Sequence, residues 1–327
     1  MLLNLARRRR LLFVGGKGGV GKTVVASTIA LTRAEEGAQV LVVSTDPAHN
    51  LGHLWGREVG DAITPLGPEG LFGVEIDPER TTAEHLAGVG ARLERLVPAH
   101  LHGEVAKHLR LAKNAPGAFE AAILERIAVT VTEHLARFDL IVFDTAPSGH
   151  TARLVSLPET MSAWTQGMLD RHSRAQRFTE AIRSLDEEDP ALQTITGDEG
   201  SRSARDAEIR RVLLARQERF TRLRDLLRNS EQTAFIAVLL GERLPALETV
   251  ELAEQLRESG LTVSALVVNR RSPADAGELL ARRHAQEAEH IRYVTDYLPD
   301  LPLAEVPLLG EDITAPDGLR RIAAALG

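Results

Sequence analysis

The chain has 327 residues, 43% of them hydrophobic and 26% charged, with a formal net charge of −7 at pH 7. This length and balance suit a globular protein of one large α/β domain or two average ones, give no reason to expect nucleic-acid binding, and include no apolar run near the roughly 20 residues needed to span a bilayer. Cysteine is absent, which excludes disulfides, thiolate zinc sites and cysteine nucleophiles, so no zinc or thiol-bound metal is expected.

Read in chain order, Arg7-Arg8-Arg9-Arg10 leads into Leu11 to Val14, the first predicted strand. A charged run before an apolar one resembles a secretory leader, but here the apolar run ends at once in glycines, so a cytoplasmic protein is the simpler expectation. Next comes Gly15-Gly16-Lys17-Gly18-Gly19-Val20-Gly21-Lys22-Thr23, opening onto a helical pattern from Val24 to Ala34. Strand, glycine loop and helix in this order make a phosphate-binding loop. The glycines let successive N–H groups turn towards one anion, and the helix adds its positive end. Lysine is rare in this chain: only four of its 39 basic residues are lysines, and two of them, Lys17 and Lys22, fall in this loop. A compact ammonium on a thin stem suits a phosphate cradle better than a planar fork.

Predicted strands follow at Gln39 to Ser44, Leu71 to Ile76, Asp139 to Asp144, Ala234 to Leu239 and Thr262 to Asn269, alternating with amphipathic helices. That alternation predicts a mostly parallel sheet covered on both faces, with functional loops at the C-terminal strand ends. Two helix-rich stretches interrupt it, at approximately 81–135 and 154–229, and read as a helical subdomain carried by a single 1–327 domain. Within the second, Ile209, Leu213, Phe220, Leu223 and Leu227 define one apolar face, and Ser184 to Ala207 reads as a loop.

Three polar segments follow strands and carry the chemistry. Lys22 is placed to reach the β- and γ-phosphates and Thr23 to hold Mg²⁺, while Asp46 can hold the ion through water and Asp144 ends an apolar strand as a Walker B carboxylate. Gly149 can bring its backbone N–H to a γ-phosphate, so that its loop orders when that phosphate is present.

The segments Gly16 to Thr23, Ser44 to Leu51 and Asp144 to Thr151 together resemble the ArsA/Get3 family of ATPases, within the deviant Walker A class. Weaker matches at Val74 to Glu79, Pro116-Gly117, Val267 to Arg270 and Val306 to Leu309 extend the likeness along the chain. The resemblance implies a P-loop NTPase fold, ATP and Mg²⁺ as ligands, and a homodimer in which Lys17 crosses the interface to phosphate oxygens of the partner's site. It implies that Gly16, Lys17, Gly18, Gly19, Val20, Gly21, Lys22 and Thr23 bind nucleotide, that Asn269 contacts adenine and that Pro307 helps frame the base. It further implies coupling of hydrolysis to anion or metalloid export through a membrane transporter. The alternatives are a chaperone for hydrophobic membrane-protein helices, or a low-turnover ATP sensor.

Two departures bear on mechanism. Where the targeting branch of that family has an aspartate that positions the attacking water, this chain has His53, which can accept a proton but adds no negative charge; a surface or interface histidine with no role in hydrolysis is an equal reading. Arsenite sensing through thiolates and a Cys-x-x-Cys zinc bridge are both ruled out by the missing cysteines. His100 and His102 face apart on a helix, and with His108 they read as solvated side chains, not a metal site. Met161, Trp164, Met168 and Leu169 could line a groove for a client helix, but a packed core stripe is the simpler reading of them.

Overall fold

The computed structural model describes residues 1–46, 50–96, 102–104, 106–107, 118–145, 163, 166–167, 170 and 199–327. A short helix α1 (Leu2–Arg8) precedes β1 (Leu11–Gly15), α2 (Lys22–Glu35), β2 (Val40–Ser44), α3 (Asn50–Trp55), β3 (Thr64–Pro65) and β4 (Leu71–Glu75). Then come α4 (Pro78–Leu96), α5 (Ala118–His134), β5 (Leu140–Asp144), α6 (Glu199–Arg228), β6 (Thr233–Leu240), α7 (Arg243–Glu258), β7 (Val263–Arg271), α8 (Glu278–Tyr297), β8 (Leu303–Pro307) and α9 (Asp317–Leu326).

The strands form one sheet in the order β3-β4-β2-β5-β1-β6-β7-β8, parallel throughout except for β3, which runs antiparallel to β4. This is a P-loop NTPase sheet. The inner strands are buried on both faces and therefore read as apolar runs, yet their side chains still alternate between two cores. Leu11 and Phe13 of β1 face a core built with α5, α6, α7 and α8, whereas Leu12 and Val14 face one built with α1, α2, α3 and α9. Phe13 stacks on Phe143 and Phe235 from the flanking strands at centroid distances of 4.7 and 5.1 Å. Stacked rings thus bind β1 to both neighbours just beneath the phosphate loop.

All six predicted strands are present, with ends shifted by one or two residues. Two further strands carry little sequence signal: β3 is two residues long and includes a proline, and β8 is a half-buried edge strand. The arginine run is not only a lead-in, because Arg7 and Arg8 form the last turn of α1. The predicted loop at 184–207 is also corrected at its end, since α6 begins at Glu199. Alanine, glutamate and arginine favour that helix locally, while its apolar anchors come later, at Leu213, Phe220, Leu223 and Leu227.

Phe220 is wholly buried between α6 and the sheet, whereas Leu214 on the same helix is 45% exposed. Phe220→Ala is expected to lower unfolding free energy by about 3–5 kcal/mol and Leu214→Ala by less than about 0.5 kcal/mol, read from urea midpoints.

Candidate nucleotide site

β1 lies between β5 and β6, all parallel, so the loop after Gly15 emerges at the same sheet edge as the ends of β2 and β5. Two glycines there are needed for space as well as for backbone angle. A Cβ on Gly16 (φ +144°) would lie 2.1 Å from the Val238 carbonyl oxygen, and one on Gly21 (φ +94°) 2.2 Å from Asn269 Nδ2. Gly19, at φ +80°, has open space around it and is constrained by conformation alone.

Lys22 is the first residue of α2, and its ammonium folds back to donate to the Lys17 carbonyl at 3.0 Å. Burial lowers its pKa, while the carboxylates of Asp144 and Asp46 oppose that shift. Thr23 donates its hydroxyl to Asp144 Oδ2 at 2.6 Å, and Ser44 reaches the same oxygen at 3.4 Å. Asp144 is fully buried, and its Oδ1 has no hydrogen-bond partner. Its pKa is raised to about 6, because burial outweighs the Thr23 hydrogen bond and the charge of Lys22.

Backbone bonds join the three loops at this edge. Thr145 N–H and hydroxyl donate to the Val14 carbonyl at 3.2 and 2.9 Å, and Thr45 N–H donates to the Asp144 carbonyl at 2.9 Å. Asp46, half-buried, donates its N–H to Ser44 Oγ at 3.3 Å. The structure thus gathers the loop glycines with Lys22, Thr23, Asp46 and Asp144. Gly149 lies outside the described residues, as do Pro47, Ala48, His49, His100, His108, Met161, Trp164, Met168 and Leu169.

His53 sits on the exposed side of α3, whose Leu51 and Trp55 are buried. A residue to which motif reading gave no role anchors this helix: buried Glu75 accepts from the N–H groups of Leu51 at 2.9 Å and Gly52 at 3.4 Å. Gly52 has little room, since an added Cβ would come within 2.8 Å of the Arg57 carbonyl oxygen. An acid placed in the apolar run Val74-Glu75-Ile76 was the available signal.

Asn269 is buried beneath the phosphate loop and donates Nδ2 to the Val20 carbonyl at 2.8 Å. After it, Arg270 takes φ 55° and the β7–β8 register shifts before Arg271 pairs with Pro307. This bulge leaves Arg270 exposed between the buried Asn269 and Arg271. Glu287 holds the segment, accepting from Ser272 N–H at 3.0 Å, Ser272 hydroxyl at 2.7 Å and Arg271 at 2.7 Å. Burial pushes the Glu287 carboxyl up, but the donors from Ser272, Arg271 and Arg283 outweigh it and hold the pKa below its usual value. Nothing in local sequence spacing pointed to this network.

The second loop lysine has a different environment. Lys17 Nζ pairs with Glu248 Oε1 on α7 at 2.8 Å, with both side chains about one third exposed. Lys22 is buried inside the cradle, and Lys17 lies at its surface.

Residues 9–327 match the family model described as anion-transporting ATPase, ArsA type. A protein of Aquifex aeolicus whose name assigns it as an arsenical pump-driving ATPase is 30% identical, the alignment covering 96% of this chain and 98% of that one. The ATPase GET3B of Arabidopsis thaliana is 31% identical over 96% of this chain and 77% of its own length. The ATPase ARSA1 of Chlamydomonas reinhardtii is 30% identical over 94% of this chain, which spans 41% of that longer protein.

The raised pKa of Asp144 has a definite sign. Its contribution to stability is complete below about pH 4 and is lost as pH rises through about 6. In protein free of nucleotide and metal, Asp144→Asn is expected to gain stability over the parent across that interval, by up to about 3 kcal/mol. Thermal midpoints of the two proteins measured from pH 4 to pH 8 check this; a gap that does not widen with pH contradicts it.

Proposed function

The chain belongs to the ArsA family of anion-transporting ATPases, and on that footing we propose that it is a homodimeric switch that hydrolyses Mg·ATP to drive export of an anion or metalloid through a membrane partner. The observation that carries the reading is the join between loop and strand: Thr23 on fully buried Asp144, whose other oxygen lacks a partner. A buried acceptor without a donor, beside a hydroxyl and a phosphate cradle, is chemically suited to a hydrated hard cation. In this assignment Gly16 to Thr23 and Lys22 hold the phosphates, Thr23 and Asp144 hold Mg²⁺ with Asp46 acting through water, and Gly149 meets the γ-phosphate. Asn269 and Pro307 take the base. When bound, Mg²⁺ supplies charge compensation to the phosphate oxygens.

Lys17 is assigned to the partner's site, where its ammonium neutralises charge that develops on the transferred phosphoryl group. To do so it must leave Glu248. An ion pair that is one third exposed is worth about 0–1 kcal/mol, so phosphate can replace the carboxylate at little cost. His53, on the open face of α3, is assigned to orient water or accept its proton once the second subunit covers that face.

The transported group must be recognised without thiolates, because the chain has no cysteine. No helix among the described residues is long and apolar enough to cross a membrane, and in the proposed arrangement the pathway belongs to a partner while this chain works in the cytoplasm. Only three methionines are present, which gives little support to a methionine-lined groove for client helices.

Phosphate release and nucleotide binding test the roles separately. Lys22→Ala is expected to lose ATP binding, whereas Lys17→Ala keeps binding and loses at least about 100-fold in kcat. His53→Ala is expected to lower kcat at least about tenfold with unchanged ATP affinity, and an unchanged kcat removes it from the mechanism. Glu248→Gln should alter kcat by less than about fivefold. Turnover is expected to rise with arsenite, antimonite or an oxyanion. Stimulation by a hydrophobic helix instead would move the assignment to a membrane-protein chaperone, and stimulation by none of them to an ATP sensor.

A further inference from the structure

The arginine run that precedes β1 has no part in the nucleotide site, yet it lines a cavity of about 420 Å³ with Arg33 at the opposite end of the sheet. Arg10, Ala38 and Asp139 lie just before the N-terminal ends of β1, β2 and β5, whereas the phosphate loop leaves the other end of β1. Five guanidinium groups line the cavity against two carboxylates, Glu36 and Asp139, in a chain whose net charge is −7.

The two carboxylates are already engaged. Glu36 accepts from Arg7 and Arg33, which holds its pKa below the usual value, the Arg7 hydrogen bond being the largest cause despite some opposition from burial. Asp139 accepts from the Gln39 N–H at 2.8 Å. Arg10 donates to the Leu135 and Phe138 carbonyls. Among the described residues no carboxylate lies within ion-pair distance of Arg8, Arg9 or Arg10. The Nε atoms of Arg9 and Arg33 are both buried without a hydrogen-bond partner.

With no carboxylate at ion-pair distance among the described residues, Arg8 and Arg9 bring to the recess positive charge that a ligand rich in acceptors can offset. Guanidinium forks match phosphate oxygens in two-point fashion, and several converging on one recess favour more than one negative group. Because part-buried Arg9 lines a recess of about 420 Å³, the site suits a small ligand that enters it better than a flat charged surface. We propose that this cavity binds a small soluble anion carrying two or more phosphate groups, at a site separate from the nucleotide loop.

The test is equilibrium dialysis of radiolabelled inorganic tripolyphosphate against the intact protein in metal-free buffer, with saturating ADP filling the nucleotide loop. Saturable binding of one tripolyphosphate per chain, weakening as salt rises, is the expected result. Arg8→Gln/Arg9→Gln should weaken it at least about tenfold while ADP affinity and melting temperature are retained. Arg282→Gln on α8, away from the cavity, should leave it unchanged. Non-saturable binding, or equal binding by the double variant, would overturn the proposal. So would sedimentation with phosphatidylserine vesicles in the absence of tripolyphosphate binding. ADP binding is followed in the same samples, so a defect in the nucleotide site is seen separately from one in the cavity.

Discussion

Asp144 is a carboxylate taken wholly out of water, and the short bond from Thr23 ties it to the first turn of α2. Burial makes its charge expensive, as the pKa of about 6 records, and only one of its oxygens is satisfied. In the proposed assignment a cation completes the arrangement around it. Sheet order makes this possible: β5 lies between β2 and β1, so Ser44, Asp46, Asp144 and the glycine loop emerge side by side. Threonine hydroxyl and backbone bonds then link the strand ends, so that a shift in any one loop would be felt by the other two.

The two loop lysines divide the site into an inside and an outside. Lys22 is enclosed by the loop whose carbonyl it touches, where its reduced pKa and the nearby carboxylates leave it poised between charge and burial. Lys17 is held at the rim by an acid from α7. A buried cation suits phosphates within its own chain, and a rim cation on a weak, exchangeable partner suits phosphates that arrive on another molecule. In the proposed assignment the Glu248 pair would be the resting position of a group that acts in the second subunit.

Much of the fold was legible because strands buried on both faces leave continuous apolar runs, and the glycine loop between strand and helix is specific. What escaped was either short or distant in sequence. β3 and β8 are edge pieces with few buried side chains, and α1 is a single short helix that ends within the arginine run. Glu75 caps α3 from 24 residues away, and Asn269 meets Val20 across 249 residues. Glu287 secures the bulge after Asn269 from the buried face of its helix, where it sits in line with Ile291 and Val294. Periodicity reports which face of an element is buried, but not which acid on a later helix will meet which amide. The orphan carboxylate oxygen of Asp144 and the enclosed arginine Nε atoms likewise exist only once the chain is folded.

The central claim is that each catalytic site is completed by a second copy of the chain, and mixing two inactive variants tests it most directly. Lys17→Ala and Lys22→Ala are each expected to lack turnover. In a mixed dimer, one site keeps its own Lys22 and receives the partner's Lys17, so subunits exchanged at equal concentration should recover about a quarter of parental ATPase activity. Absence of recovery, with mixed dimers demonstrated by differently tagged subunits, would contradict the two-subunit account.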